Sequence, residues 1–489
     1  MKRVFSIQLL LAFVFAGQSN MSAAIGRTGV SNLGVATCQT LPEKNAPYYD
    51  IGGFHHKVTT DSPSAQMWFD RGLALCFGFN HEEAVRCFEQ SLKEDPSLAM
   101  ALWGIAYAWG PNINNLEIEA HQIAQAATCL RLAELHATTA TKQEQALVEA
   151  LAHRYAAPAP EDRRLLNEAY AHAMRKVYQQ YPDDPLVAAL FAESRMNLRP
   201  WKHWSPDGKP ATETPEIVAV LEKALKHNPD HPALCHLYIH VMEASPTPEK
   251  ALPAADALRN RMPGVGHLTH MPSHIDILVG NYPAAITANQ KAIAADLEYL
   301  KEEGPHNFYS LYRIHNYHFL VYGAMFNGQS ELALTAARDI PKQVPPDMLK
   351  EMSDFLDAFM PTPLHVMVRF GRWEDILREP DPAEYLPVSR SIRYYARAIA
   401  YAATGRVQQA EREQRAFQSV RATVPATSIL FNNTSRDMLA VADAMVAGEI
   451  AYWLFFTAFV GLNLLQSAFT KWCLMEDILA KFGIAKQSD

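Results

Sequence analysis

Residues 65–96 read AQMWFDRGLALCFGFNHEEAVRCFEQSLKEDP. Counted from Ala65, Trp68 falls at position 4, Gly72 at 8, Ala84 at 20, Phe88 at 24 and Pro96 at 32. Small residues at 8 and 20 let two helices approach closely, large ones at 4 and 24 fill the space beside them, and proline ends the second helix. The same spacing recurs downstream. Pro229 and Pro263 are 34 apart, as are Ala251 and Ala285, and the stretches Cys235–His240 and Thr269–His274. A 34-residue period is that of a helix–turn–helix repeat. Further units start at Pro232, Gly266 and Ser391, the last with Tyr394, Tyr401, Ala410 and Phe417 at positions 4, 11, 20 and 27. Ser62-Pro63 and Thr214-Pro215 supply helix starts, and Asp95-Pro96 and Asp184-Pro185 mark turns.

This joint pattern resembles the tetratricopeptide repeat (TPR) family over roughly residues 60 to 445, with degenerate units at 112–180 and 341–390. The resemblance implies an all-α, TPR-type helix-hairpin solenoid with an extended concave binding surface. Phe54–Pro63, Gly78–Ala84 and Gly110–Asn115 are also similar to a group of bacterial tetratricopeptide proteins of poorly defined role, which supplies no catalytic residues to carry over.

Composition agrees with a folded body. Of 489 residues, 49% are hydrophobic and 20% charged, which excludes a disordered chain. The formal charge of −8 and the lack of a Lys/Arg stripe exclude a nucleic-acid partner. No phosphate loop, dinucleotide fingerprint or nucleophile elbow is present. Six cysteines in a chain this long do not build a disulfide scaffold, and the odd number in the body predicts an unpaired thiol.

The two ends differ from the body. Met1-Lys2-Arg3, the apolar run Val4–Gly17 and Ser22-Ala23-Ala24 read as a signal peptide over 1–24, followed by an irregular lead-in over 25–60. Residues 450–470, IAYWLFFTAFVGLNLLQSAFT, carry no charge. At 1.5 Å per residue this stretch reaches about 30 Å, the thickness of the hydrocarbon layer. Lysines follow it and acidic residues precede it, so a tail over 471–489 is expected in the cytoplasm and the 61–448 solenoid outside. The chain is thus expected in the periplasm or cell envelope, anchored in the inner membrane. Gly461–Cys473 and Ile478–Gly483 resemble the second half of a small two-helix inner-membrane domain found alone or fused to rhodanese-type sulfurtransferases. Two features depart from that pattern: Leu474 stands where the family has proline, and Met438–Gly448 reads as a soluble helix where its first span would lie. The resemblance implies an anchor and no activity.

Histidine is the chemical signal. Residues 227–318, under a fifth of the chain, hold ten of the 19 histidines. His236 and His240 occupy positions 5 and 9 of one unit, His270 and His274 the same positions of the next, and His315 and His318 positions 2 and 5 of a third starting at Ile314. In the tetratricopeptide family positions 2, 5, 9 and 12 of the first helix line the groove, so six imidazoles are expected there, with Glu243 at position 12. Pro272 is expected to kink its helix or start a new one, re-aiming His270. Neutral imidazoles suit zinc, copper or iron. Leu237 breaks the zinc-peptidase order, so no peptidase chemistry is implied. His267, Tyr312 and Asn316 flank the cluster, and the insertion Arg199–Pro215 brings Trp201 and His203. Two functions follow: a scaffold holding a peptide or protein segment in its groove, or a transition-metal protein, including a metal-dependent oxidoreductase. Packing of the rings alone is the third reading.

Overall fold

In the computed structural model the described residues are 49–448, without 117, 157–159 and 161. The expected signal peptide, most of the lead-in, and the 450–470 span with its tail lie outside them. The chain divides into two compact bodies, one through Met352 and the other from Ser353.

The first body is a succession of helix pairs. They are α1 (Pro63–Phe77) with α2 (His81–Glu94), α3 (Ala99–Ala108) with α4 (Ala120–His136), and α5 (Lys142–Ala152) with α6 (Arg164–Gln180). Next come α7 (Pro185–Met196) with α8 (Thr214–His227), and α9 (Pro232–Met242) with α10 (Leu252–Leu258). Then α11 (Gly266–His270) and α12 (Pro272–Val279) face α13 (Tyr282–Glu303), and α14 (Ser310–Phe326) faces α15 (Ser330–Asp339). Ser62-Pro63 starts its helix as the sequence predicts, whereas Thr214, expected to cap ahead of Pro215, lies inside its helix and donates its hydroxyl to the His203 carbonyl at 2.7 Å. Ser62 accepts from the Ala65 N–H and Asp184 from the Val187 N–H, each cap followed by a proline in the first turn.

One ring explains why small residues are needed where successive hairpins meet. A Cβ on Gly72 of α1, or on Gly104 of α3, would come within 2.6 Å of the Phe88 ring. Phe88 is fully buried between the two glycines, one on the first helix of each of two successive hairpins. Gly72→Ala is therefore expected to cost about 1–3 kcal/mol by overpacking, read as a lowered midpoint in thermal or urea unfolding.

Contacts of this body are not confined to neighbours in the array. Helix α1 packs against α9 as well as α2. Arg86 of α2 pairs with Glu303 of α13, and the Asn114 amide donates to the Tyr312 hydroxyl at 3.2 Å. The first hairpins thus close over the histidine helices. The open groove expected of a nearest-neighbour solenoid is filled at that place, and five of the six imidazoles that were to line it, all but His318, are 0–4% exposed.

The second body is also helical. Its central hairpin, Pro387–Ala403 with Val407–Arg421, is followed by a two-residue strand pair, Ile429–Leu430 with Asn433–Thr434, and by Ser435–Gly448. Asp357 accepts from the Val388 and Ser389 backbone N–H groups at 2.7 and 3.0 Å, capping the first helix of the hairpin. Among the described residues no helix is long and apolar enough to cross a membrane.

Candidate metal centre

Six imidazoles meet in the first body as two triads, His236–His240–His267 and His270–His274–His315. In each, one ligand-capable atom per residue lies within 4.8 Å of the others. Helix α9 supplies two, α11 two, α12 one and α14 one. The i, i+4 spacing puts His236 and His240 on one face of α9. Pro272 ends α11 and opens α12, and the break leaves His270 and His274 close, Nε2 to Nε2 at 2.8 Å. Gly266 allows the approach of α11 to α13, since a Cβ there would overlap Asp296 Oδ1.

Hydrogen bonds decide which nitrogen of each ring is left over. His236 Nδ1 meets the Phe77 carbonyl at 2.6 Å, and His240 Nδ1 meets Glu243 Oε1 at 2.8 Å. His274 Nδ1 meets Glu243 Oε2 at 2.5 Å. His270 Nδ1 meets Asn289 Oδ1 at 2.7 Å, and the Asn289 amide nitrogen is committed to the Ala285 carbonyl at 2.8 Å, which fixes that amide's orientation. A carbonyl or carboxylate oxygen can only accept. All four Nδ1 atoms therefore donate, and wherever such a ring is neutral its Nε2 carries a bare lone pair. For His270 and His274 these lone pairs face one another at 2.8 Å, an arrangement that requires a proton or a cation between or beside them. His236 Nε2 lies 3.2 Å from His267 Nε2, while His240 Nε2 and His267 Nδ1 are buried without a hydrogen bond.

Electrostatics point the same way. Burial, reinforced by neighbouring imidazoles, holds His236, His267, His270 and His315 well below the usual histidine range, and burial also lowers His240. These rings are neutral, the ligand form. Glu243 is the opposite case. Burial raises its carboxyl, but His274 and His240 outweigh that and hold it well below the ordinary carboxylate range. One buried anion thus bridges the two triads.

The aromatic surround is unusual in its backbone. Phe79 and Trp201 have φ of 56° and 60°, values that bulky residues rarely adopt. Phe79 lies 4.7 Å from the His236 ring and 5.4 Å from His267, and Trp201 stands edge-on to His240 at 5.1 Å. Such strain persists where surrounding structure imposes it, commonly at functional sites. The insertion packs down on α9: Trp201 Nε1 donates to the Ile113 carbonyl and Trp204 Nε1 to the Val241 carbonyl.

The sequence-derived residues sort as follows. His236, His240, His270, His274 and His315 are brought together, and Glu243 bridges them. His267, expected only to flank, completes the first triad. His318 stands in neither triad and is half-buried: α14 turns His315 toward His270, at 4.8 Å between rings. Tyr312 packs on His267 at 4.6 Å. Asn316 points elsewhere, donating to Asp296 Oδ2 at 2.6 Å. His203 is buried with no hydrogen bond at Nε2, close enough to Glu243 for its charge to act on it. Reasoning from sequence missed the Phe77 carbonyl, Phe79 and Asn289. The described cysteines 76, 87, 129 and 235 are all buried.

Acid should unfold the metal-free protein early. Burial brings His81, His203 and His231 down to about 4, whereas in the unfolded chain they titrate near 6.5. Between those values the unfolded state binds more protons, so stability present above pH 6.5 is lost as pH falls toward 4. Each such ring contributes about 1.4 kcal/mol per pH unit. A urea midpoint that falls steeply from pH 7 to 5 is the expected result, and a flat profile would contradict it.

Residues 439–488 match the family model described as "Inner membrane protein YgaP-like, transmembrane domain". This segment associates the chain with a membrane. The match starts at Leu439, within the Ser435–Gly448 helix, so it takes in residues that the sequence reading left to the soluble body. No curated protein matches the chain. Solved structures similar to it include the human IFIT1 dimer with PPP-AAAA, at 14% identity and TM-score 0.32, covering 81% of this chain and 91% of that one. The APC/C hetero-tetramer Cut9-Hcn1 is 12% identical at TM-score 0.25, covering 78% and 77%. The P58(IPK) TPR domain is 12% identical at TM-score 0.19, covering 79% and 98%. At such scores the helix pairing itself, rather than these likenesses, carries the fold assignment.

Proposed function

We propose that this chain is a membrane-associated helical-repeat protein whose first body binds transition-metal ions in two adjacent all-histidine sites. One observation carries the reading: four buried imidazoles have Nδ1 locked as a donor, so their Nε2 lone pairs are directed into the cluster. Metal-bound histidines are typically held in this way, the second nitrogen donating to a carboxylate or backbone carbonyl. Nitrogen donors at about 2.0–2.1 Å suit zinc, copper or iron, and three of them leave a position open for a further ligand. Two ions per chain also satisfy the lone pairs that otherwise face each other. The bridging Glu243 carboxylate offsets part of their charge. An oxidoreductase role agrees with copper or iron there. Export to the periplasm, with the first body outside the inner membrane, is part of the same reading. A peptide held in a groove, the other reading of the sequence, is supported by the repeat architecture alone.

Elemental analysis of the untagged full chain tests the proposal. About two ions of zinc, copper or iron per chain are expected, resistant to gel filtration and removed by a strong chelator. Protein that stays metal-free after incubation with each of these ions would refute it.

A further inference from the structure

Polar groups also gather where the first two hairpins meet the segment ahead of α14, at a pocket walled by Trp109 and Phe308 and lined by Asn80, Glu82, Asn112 and Gln122. The Trp109 indole is fixed by donating from Nε1 to Gln125 Oε1 at 3.0 Å, and Phe308 stands edge-on to Tyr312 at 5.9 Å. Hydrogen bonds within the protein orient two of the amides. Asn112 Oδ1 accepts from the Asn114 and Asn115 backbone N–H groups at 2.8 and 3.0 Å, and Gln122 Oε1 accepts from the Glu119 N–H at 2.9 Å. Each therefore keeps its NH₂ group to donate elsewhere. Asn80 has neither end committed. It precedes α2, where an asparagine ordinarily accepts from a backbone N–H of the first turn. Its side chain makes no such bond, nor any other among the described residues, although it is only 4% exposed. A buried amide without partners costs free energy that a bound ligand recovers.

We propose that this pocket binds a neutral sugar ring. No imidazole of either triad lines it, so the inference goes beyond the metal reading and does not depend on it. Charge is the first argument. Among the described residues no lysine or arginine lines the pocket to hold an anion, and its one carboxylate, Glu82, would repel one. His81, also in the wall, is uncharged at neutral pH, because burial brings it down to about 4. A cation is matched no better: burial pushes the Glu82 carboxyl up, which weakens it as a counter-ion, and the amide NH₂ groups offer a cation only donors. The mixture of surfaces is the second argument. Aromatic walls with a few convergent polar groups are the usual make-up of a small-molecule site. A sugar ring meets both kinds of surface at once. Its C–H faces pack on Trp109 and Phe308, its hydroxyl oxygens accept from the Asn112 and Gln122 amides, and its hydroxyl hydrogens go to Glu82 and the Asn80 oxygen.

Titration calorimetry of the full chain tests the proposal, with glucose and N-acetylglucosamine as the sugar probes, choline as the cation and acetate as the anion. Saturable heat is expected with at least one sugar and with neither ion. Asn80→Ala is expected to weaken sugar binding about tenfold, the cost of two hydrogen bonds to a neutral ligand. Its thermal midpoint should stay that of the wild type, because the side chain holds nothing in the protein itself. Trp109→Leu keeps bulk but removes the aromatic face, and should weaken the same binding; if that variant does not fold, Asn80→Ala decides alone. Absence of saturable binding of both sugars overturns the proposal, as does a sugar affinity that Asn80→Ala leaves unchanged. A lowered midpoint of Asn80→Ala with undiminished sugar binding would make the side chain an ordinary helix cap. Choline or acetate binding in place of the sugars would assign the pocket to an ion. Either result also overturns the sugar reading.

Discussion

Alanine at both His270 and His274 is expected to leave about one ion per chain where the wild type holds two. These rings supply two of the three nitrogens of the second triad, and His315 alone cannot hold an ion against bulk water. The first triad keeps its three rings and its Phe77 and Glu243 contacts, so its ion stays. The complementary change, His236→Ala with His240→Ala, should empty the other site. Elemental analysis of both variants, beside circular dichroism to confirm the helices, reads the outcome. Loss of both ions from either variant would mean a single shared centre. Retention of both would mean that the imidazoles are packing residues. The metal-free double variant should also be less acid-sensitive than the metal-free parent, because His270, a buried ring that resists protonation in the folded state, is gone.

The periodic part of this protein is legible because each repeat carries its own instructions. Gly72, Phe88 and Gly104 report a contact between successive hairpins, which local spacing along the chain can signal. The same logic places His236 with His240 and His270 with His274, since an i, i+4 pair shares a face whatever the helix packs on. It does not reach contacts that skip repeats. Helix α1 reaches α9 across more than 150 residues, and that contact brings the Phe77 carbonyl to His236 and Phe79 over the rings. No period announces it. Burial of the cluster, and with it the loss of an open groove at that place, follows from this closure. His318 shows the limit within a helix: α14 begins at Ser310 rather than Ile314, and three residues turn a helix by about 300°, so when His315 faces the cluster His318 stands at its edge. Asn289 had a readable sign, an amide in the middle of the apolar stripe of a long helix, but nothing local says which histidine it meets.

Glu243→Gln is expected to lower metal affinity 10–100-fold, the usual cost of losing a partner behind the ligands, and to do so unequally at the two sites. The carboxylate accepts from two Nδ1–H groups, one on each side, through its two oxygens. Glutamine has one acceptor oxygen and a donor NH₂. It can still receive one ring, while the other meets a donor and must turn its lone pair to Nδ1. That ring then carries its hydrogen on Nε2, the atom that has to bind metal. The substitution also removes the buried negative charge between two cations. One site should therefore weaken much more than its neighbour, so a competition titration with a chelator should resolve two steps where the wild type gives a single narrow transition. Glu243→Asp keeps the charge but draws the oxygens back by one methylene, and should weaken both sites while leaving them similar. Equal affinities in the glutamine variant and the wild type would show that the carboxylate merely packs against the rings, and the tautomer argument on which the two-ion reading stands would fall with it.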